Sequence, residues 1–268
     1  MLRRAIVTLV LVPIVLVLLF WAPEWLFIAA LLAVSQLAFY EYLHMSAPLA
    51  DRSRQIWLMA LSAVIVLGLG FARSSFATTG AILLAAFLAL ILQVLLTLRG
   101  MEHSLPVVST ATFGLIYIPL SLGLLIPIRY NRGDSGLSRI LFLLLVTWAA
   151  DTGAYLVGRS LGRHKLAPEI SPGKTVEGSL GGLACSLCVG VIFFCSMERN
   201  WHWLAGALIL NVAGQCGDLF ESMLKRGAGI KDSSHLIPGH GGLLDRVDSL
   251  IFAAPLFLHM VRWFYDVR

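Results

Sequence analysis

Apolar runs of about 20 residues recur from one end of this chain to the other, and that pattern decides most of what it can fold into. Each run is long enough to cross a hydrocarbon core of roughly 30 Å. In lipid the backbone has to satisfy its own hydrogen bonds within each segment, which selects helices. The alternating strands of a membrane barrel, roughly 10 residues each, are absent. Composition agrees: 58% of the 268 residues are hydrophobic and 13% are charged, about half the charged share of a soluble domain. The expected fold is all-α and polytopic, with about nine transmembrane helices.

The runs fall near 5–20, 25–45, 56–72, 79–98, 105–128, 139–157, 175–197, 201–224 and 245–265. Pro106, Pro119 and Pro127 should bend the fifth. The first run follows a short basic start, as a signal peptide would. However, no small-residue cleavage site follows and a second run begins at once, so it reads as an uncleaved span. With the amino terminus inside, thirteen Lys and Arg fall on the inner side and seven on the outer. That bias gives an N-in, C-out orientation in a cell (inner) membrane. It places both basic loops, 158–174 and 225–246, in the cytosol.

The net charge of +5 reads as the same bias, with no nucleic-acid partner. Cys185, Cys188, Cys195 and Cys216 lie in apolar segments; the Cys185/Cys188 pair lacks the second pair that a zinc site needs. Residues 1–137, with about five spans and few charges, read as scaffold. Residues 138–268, with about four spans and both basic loops, read as the catalytic region.

Acids inside the apolar runs are the candidates for chemistry, since a carboxylate there is costly and faces protein or water. Asp151 lies eight residues before Arg159, about 12 Å below the helix end at 1.5 Å per residue. In the eighth run Asn211, Gln215, Asp218 and Ser222 form a polar stripe on one helical face. Asp218 is the best ligand candidate there, while Glu221 also reads as an interfacial acid. Asp245 and Asp248 share a face at the start of the ninth run. Acids at a helix start are favoured by the dipole alone. Two of them beside Asp218 are also what a hard divalent cation needs, with phosphate and water completing the shell.

Two segments carry the cations. Ser171–Gly178 reads SPGKTVEG, with Lys174 placed before a helix N-terminus that suits an anion. It is no P-loop, because the required earlier glycine is Pro168. On spacing alone Lys174 is either a phosphate clamp or a snorkelling surface residue. The second segment, Ser222–Asp248, reads SMLKRGAGIKDSSHLIPGHGGLLDRVD. Its glycines allow close backbone approach to a ligand. Its His240 suits a phosphate contact or loop structure better than Mg²⁺, which prefers oxygen.

This second segment closely resembles the signature of the phosphatidate cytidylyltransferases (CDP-diacylglycerol synthases), most of all the bacterial enzymes. Ser222, Lys225, Arg226, Lys231, Asp232, Ser234, Ile237, Pro238, His240, Gly241, Gly242, Asp245, Arg246 and Asp248 all fit. Asp151–Tyr155 (DTGAY) and SPGKTVEG are also similar to family motifs, with Gly173 standing where the family often has Lys. The resemblance is strong over about 147–250.

The resemblance implies transfer of a cytidylyl group from CTP to phosphatidic acid, giving CDP-diacylglycerol and pyrophosphate. It implies Mg²⁺ with a monovalent cation such as K⁺, and a homodimer. By this resemblance Asp218 and Asp245 are metal ligands, with Asp248 next. Lys225, Arg226 and Lys231 hold phosphates, and Lys174 clamps the lipid phosphate or the triphosphate. Arg246 holds phosphate or pairs with a ligand carboxylate. Asp151 binds metal, orients a cation or contacts ribose.

Two rival readings are weaker. A lipid phosphotransferase that consumes CDP-diacylglycerol would carry a DGxxAR…GxxxD…D pattern, which is absent. An ion-coupled transporter would spread repeats and broken helices along the chain, whereas these acids sit at one end beside glycine-rich basic loops.

Overall fold

The computed structural model describes residues 12–72, 76–97, 101–130, 135–197, 199–234 and 241–265. The chain divides into two compact units: residues 1–133 with 232–246, and residues 134–231 with 247–268. Seven helices among the described residues are long and apolar enough to cross a membrane, so the protein is a polytopic membrane protein built mainly of helices.

Unit 1 holds four of the seven: α1 (Glu24–Met45), α2 (Arg52–Ala72), α3 (Phe76–Thr97) and α4 (Met101–Tyr130). Residues 12–20 are helical as well, while the start of the expected first span lies outside the described residues. The polar turn between α1 and α2 is set by Asp51, whose carboxylate accepts the Arg54 amide at 2.8 Å. In α4 the expected bends resolve unevenly. Pro106 sits in the first turn after Ser104, where no carbonyl awaits its missing N–H. Pro119 lies inside a π-helical turn, Ile116–Leu120, which absorbs the missing bond locally. A turn at Leu124 precedes Pro127.

α1 meets α4 closely at Gly114. A Cβ there would fall 2.3 Å from Cε1 of Tyr42, and the Tyr42 hydroxyl donates to the Thr110 carbonyl at 2.9 Å.

Unit 2 holds α5 (Gly136–Leu161), a β1–β2 hairpin (Lys165–Ala167, Ser171–Thr175), α6 (Val176–Ser196) and α7 (His202–Gly227). α8 (Leu244–Tyr265) starts in unit 1 and continues into unit 2. It corresponds to the expected ninth span but is not among the seven, since it carries Asp245, Arg246, Asp248 and Arg262.

α5 and α6 pack backbone to backbone through small residues. A Cβ at Gly182 would lie 2.7 Å from the Ala150 carbonyl, one at Gly178 2.8 Å from that of Ala154, and one at Gly153 2.6 Å from Cys185 Sγ. This is the close approach that small residues give membrane helices. Phe142 meets Phe193 and Trp203 edge-on at centroid distances of 5.0 and 4.7 Å, and Phe193 and Trp203 are tilted at 5.2 Å.

Three sequence boundaries are corrected. α5 runs to Leu161, so Arg159 is helical and not part of a loop. The stretch after it is no plain loop, because Lys165 pairs with Thr175 and Ala167 with Ser171 in an antiparallel hairpin. α7 continues to Gly227, placing Lys225 and Arg226 in its last turn, where cations favour the helix dipole. The chain then turns at Gly229, with φ at +73°.

Candidate active site

In unit 2 the charged groups gather where β2 meets α6. Thr175 keeps extended backbone, and its hydroxyl accepts the Gly178 amide at 3.1 Å, capping α6. Lys174 therefore stands one residue before the Thr175 cap, on the next-to-last position of β2. Its Nζ lies 2.6 Å from Oδ2 of Asp218 on α7, with both side chains partly exposed. Asp248, near the start of α8, is only 8% exposed, and its Oδ1 accepts the Ser249 amide at 2.7 Å. Asp218, Asp151 and Lys174 all act on Asp248 electrostatically. Asp151 itself is exposed on α5.

The polar stripe of α7 divides its labour. Its upper part binds α6: Asn211 Nδ2 donates to Ser186 Oγ at 3.1 Å, Gln215 Nε2 donates to Asn211 Oδ1 at 2.7 Å and to the Ser179 carbonyl at 3.2 Å, and the Ser179 hydroxyl donates to Gln215 Oε1. Only further along, at Asp218, does the stripe reach the charged cluster. Glu221, read from sequence as an interfacial acid, is fully buried, with Oε2 2.5 Å from Lys225 Nζ. A buried carboxylate requires such a partner.

Lys225 thus already holds a carboxylate. Arg226 is exposed, and its Nε donates to the Ile170 carbonyl at 3.4 Å, tying the end of α7 to the hairpin. Lys231 is exposed. The structure brings Lys174, Asp218, Asp248 and Asp151 into one neighbourhood. Lys225, Arg226 and Lys231 line the exit of α7.

In unit 1, Asp245 Oδ2 accepts the Gly242 amide at 2.8 Å and the Ser233 amide at 3.2 Å, and lies 3.1 Å from the Ser233 hydroxyl oxygen, whose one proton it shares with Glu41. An acid in a first helical turn reaching back to an amide before it resembles half of a capping box. Gly241 needs to be glycine twice over: its φ is +79°, and a Cβ would lie 2.8 Å from Asp245 Oδ2. Arg246 is exposed. His240 lies outside the described residues.

Donor chemistry and charge decide whether unit 2 suits a divalent cation. Asp218 and Asp248, with Asp151 acting on Asp248 electrostatically, offer the oxygen donors that a hard divalent cation takes. No trio of His, Cys, Asp or Glu among the described residues stands together at ligating separation. Mg²⁺ needs no such trio, since it binds through one or two carboxylates and keeps phosphate and water for the rest. The residues fit Mg²⁺ on those terms.

Two groups escaped the sequence reading. Glu177 gathers the amides of Arg163 and His164 at 3.0 and 3.2 Å and the His164 Nδ1 at 2.6 Å, fastening the turn before β1 to the first turn of α6. Glu41 of α1 is 2% exposed and holds four donors from the signature segment. The one signal for it in the sequence is an acid within an apolar run, four residues before the end of α1.

Fold and site together define a class: a polytopic helical membrane protein with carboxylates and cations collected at helix ends beside a small hairpin. The chain matches the model of the cytidylyltransferase family over residues 2–264, and it belongs to that family. Over 130 residues it is 52% identical to a phosphatidate cytidylyltransferase of Staphylococcus haemolyticus and to one of Staphylococcus saprophyticus. Over the same length it is 51% identical to that of Staphylococcus aureus. Each match takes in 47% of this chain and 50% of the relative, so the chain spans about half the length of the curated relatives it matches.

Proposed function

We propose that this protein transfers the cytidylyl group of CTP to phosphatidic acid, releasing pyrophosphate and forming CDP-diacylglycerol for phospholipid synthesis. The observation that carries the reading is the cytidylyltransferase family match across residues 2–264. The pairing of Lys174 with Asp218, beside Asp248 and Asp151, supports it.

In the reaction a phosphate oxygen of the lipid attacks the α-phosphorus of CTP. A new P–O–P bond forms and the bond to the β-phosphate breaks, the electron pair leaving with pyrophosphate. The attacking oxygen is already ionised, so no general base is needed. The chain's task is to align two anions and neutralise their charge. Lys174, adjacent to the acids, holds the phosphate of lipid or nucleotide. Lys225, Arg226, Lys231 and His240 bind further phosphate oxygens, and Arg246 serves phosphate or a ligand carboxylate.

Asp218 and Asp248 are the residues that would hold Mg²⁺. Asp245 and Asp151 are assigned to the same work on their sequence pattern. Mg²⁺, with a monovalent cation such as K⁺, would supply charge neutralisation for the triphosphate. We further propose nine spans, N-in and C-out, in a cell inner membrane, with the hairpin segment after Leu161 and the segment between Gly227 and Leu244 on the cytosolic side, and a homodimer.

The test is direct. Purified protein given Mg²⁺, CTP and phosphatidic acid should release pyrophosphate and form CDP-diacylglycerol. Folded protein that releases none would end this reading.

A further inference from the structure

Glu41 is an acid in a helix that the sequence assigns to scaffold, yet its carboxylate is spent on the signature segment. Oε1 accepts the Ser234 hydroxyl at 2.5 Å and the Leu243 amide at 2.9 Å. Oε2 accepts the Ser233 hydroxyl at 3.0 Å and the Leu244 amide at 2.7 Å. Each oxygen thus takes one hydroxyl and one backbone amide. Leu243 and Leu244 stand at the start of α8, where amides lack partners within the helix. Glu41 supplies those partners from 202 and 203 residues away.

The link runs on to a candidate site residue. The Ser233 hydroxyl that meets Glu41 also lies 3.1 Å from Asp245 Oδ2. The backbone leaves no slack at this point, since a Cβ on Gly242 would lie 1.8 Å from Ser233 Oγ and 2.5 Å from Glu41 Oε2. An ionised carboxylate, which only accepts hydrogen bonds, suits four donors. A glutamine of the same shape would turn an NH₂ toward two of them.

We propose that Glu41 is a positioning residue for the reaction, fixing Asp245 and the first turn of α8 through Ser233, Ser234 and two backbone amides. This rests on the cytidylyl-transfer reading for its effect on rate, but not for its effect on structure. Full-length wild-type and Glu41→Gln proteins are compared by amide hydrogen exchange and by pyrophosphate release. The expected result is faster exchange confined to peptides covering 232–234 and 241–246, with α1–α4 protected as in wild type. With it, kcat should fall about tenfold or more, as for loss of an interaction that organises the reacting groups. Ser233→Ala and Ser234→Ala should shift the same peptides to a lesser degree, and they decide the matter if Glu41→Gln does not fold.

Unchanged exchange at 241–246 would overturn the proposal. So would loss of protection spread through all of unit 1, which would mark a general packing role. Local loosening with kcat unchanged would overturn the role in the reaction. If wild type releases no pyrophosphate, the assigned reaction fails, and the exchange data alone decide whether Glu41 holds the segment.

Discussion

Lys174 is the residue whose removal should be most informative. Its ammonium pairs with Asp218 and acts on Asp248 beside it. Lys174→Met should therefore cost about 100-fold in turnover, of the order of losing one preorganised charge contact, while Lys174→Arg keeps part of the rate. Steady-state pyrophosphate release reads both. Asp218→Asn and Asp245→Asn should each abolish turnover while the protein still inserts to wild-type levels in membranes. Retained Mg²⁺-dependent activity in both would overturn their assignment to metal. These residues stood out in the sequence because charges are scarce in an apolar chain. Their partners were less plain: Glu221 and Lys225 have the i,i+4 spacing of an ion pair only if the helix runs past Leu224, and nothing in the pattern says that Arg226 reaches a hairpin carbonyl. Such contacts depend on where a helix ends, and one more turn of α7 moved both cations from loop to helix.

At the scale of elements, the helices were legible because hydropathy dictates them, and seven of the expected spans appear as single helices or, for α4, as one interrupted helix. The hairpin was not. Its strands are of three and five residues, each with a lysine, and Glu177 and the Thr175 cap fasten the open end where Lys165 pairs with Thr175. Thr175→Ala should cost about 1 kcal/mol, the usual value of a lost cap, and should loosen the β2–α6 junction that presents Lys174. A melting curve in detergent measures the first, and a raised KM for CTP or lipid reports the second. The α5–α6 contact makes a sharper demand. Gly182→Val places branched carbon against the Ala150 carbonyl and should destabilise by about 1–3 kcal/mol, as overpacking does. Gly80→Ala meets nothing within 4 Å and should melt as wild type does. Equal melting of all three would remove close packing as the reason for the glycines.

For the whole molecule, chelation is the first experiment. EDTA should abolish pyrophosphate release and Mg²⁺ should restore it, while Ca²⁺ should restore less because it tolerates looser, larger shells. Reporter fusions in 158–174 and after 265 should report opposite sides of the membrane. The same side for both would break the nine-span count. The sequence could set spans and charge bias but not which distant segments share a unit. Residues 232–246 belong to unit 1 although the chain enters and leaves them through unit 2, and hydropathy carries no trace of that.

The bond between Glu41 and Leu243 has a consequence for how the protein is made. During synthesis at about 5–20 residues per second, α1 waits about 10–40 s before its partner 202 residues later emerges. Glu41 lies one turn from the end of α1, where water can serve it meanwhile. The signature segment is then locked only after nearly the whole chain has been threaded into the bilayer. A nascent chain stopped before residue 241 would therefore carry Glu41 without the Leu243 and Leu244 amides that it holds in the finished protein.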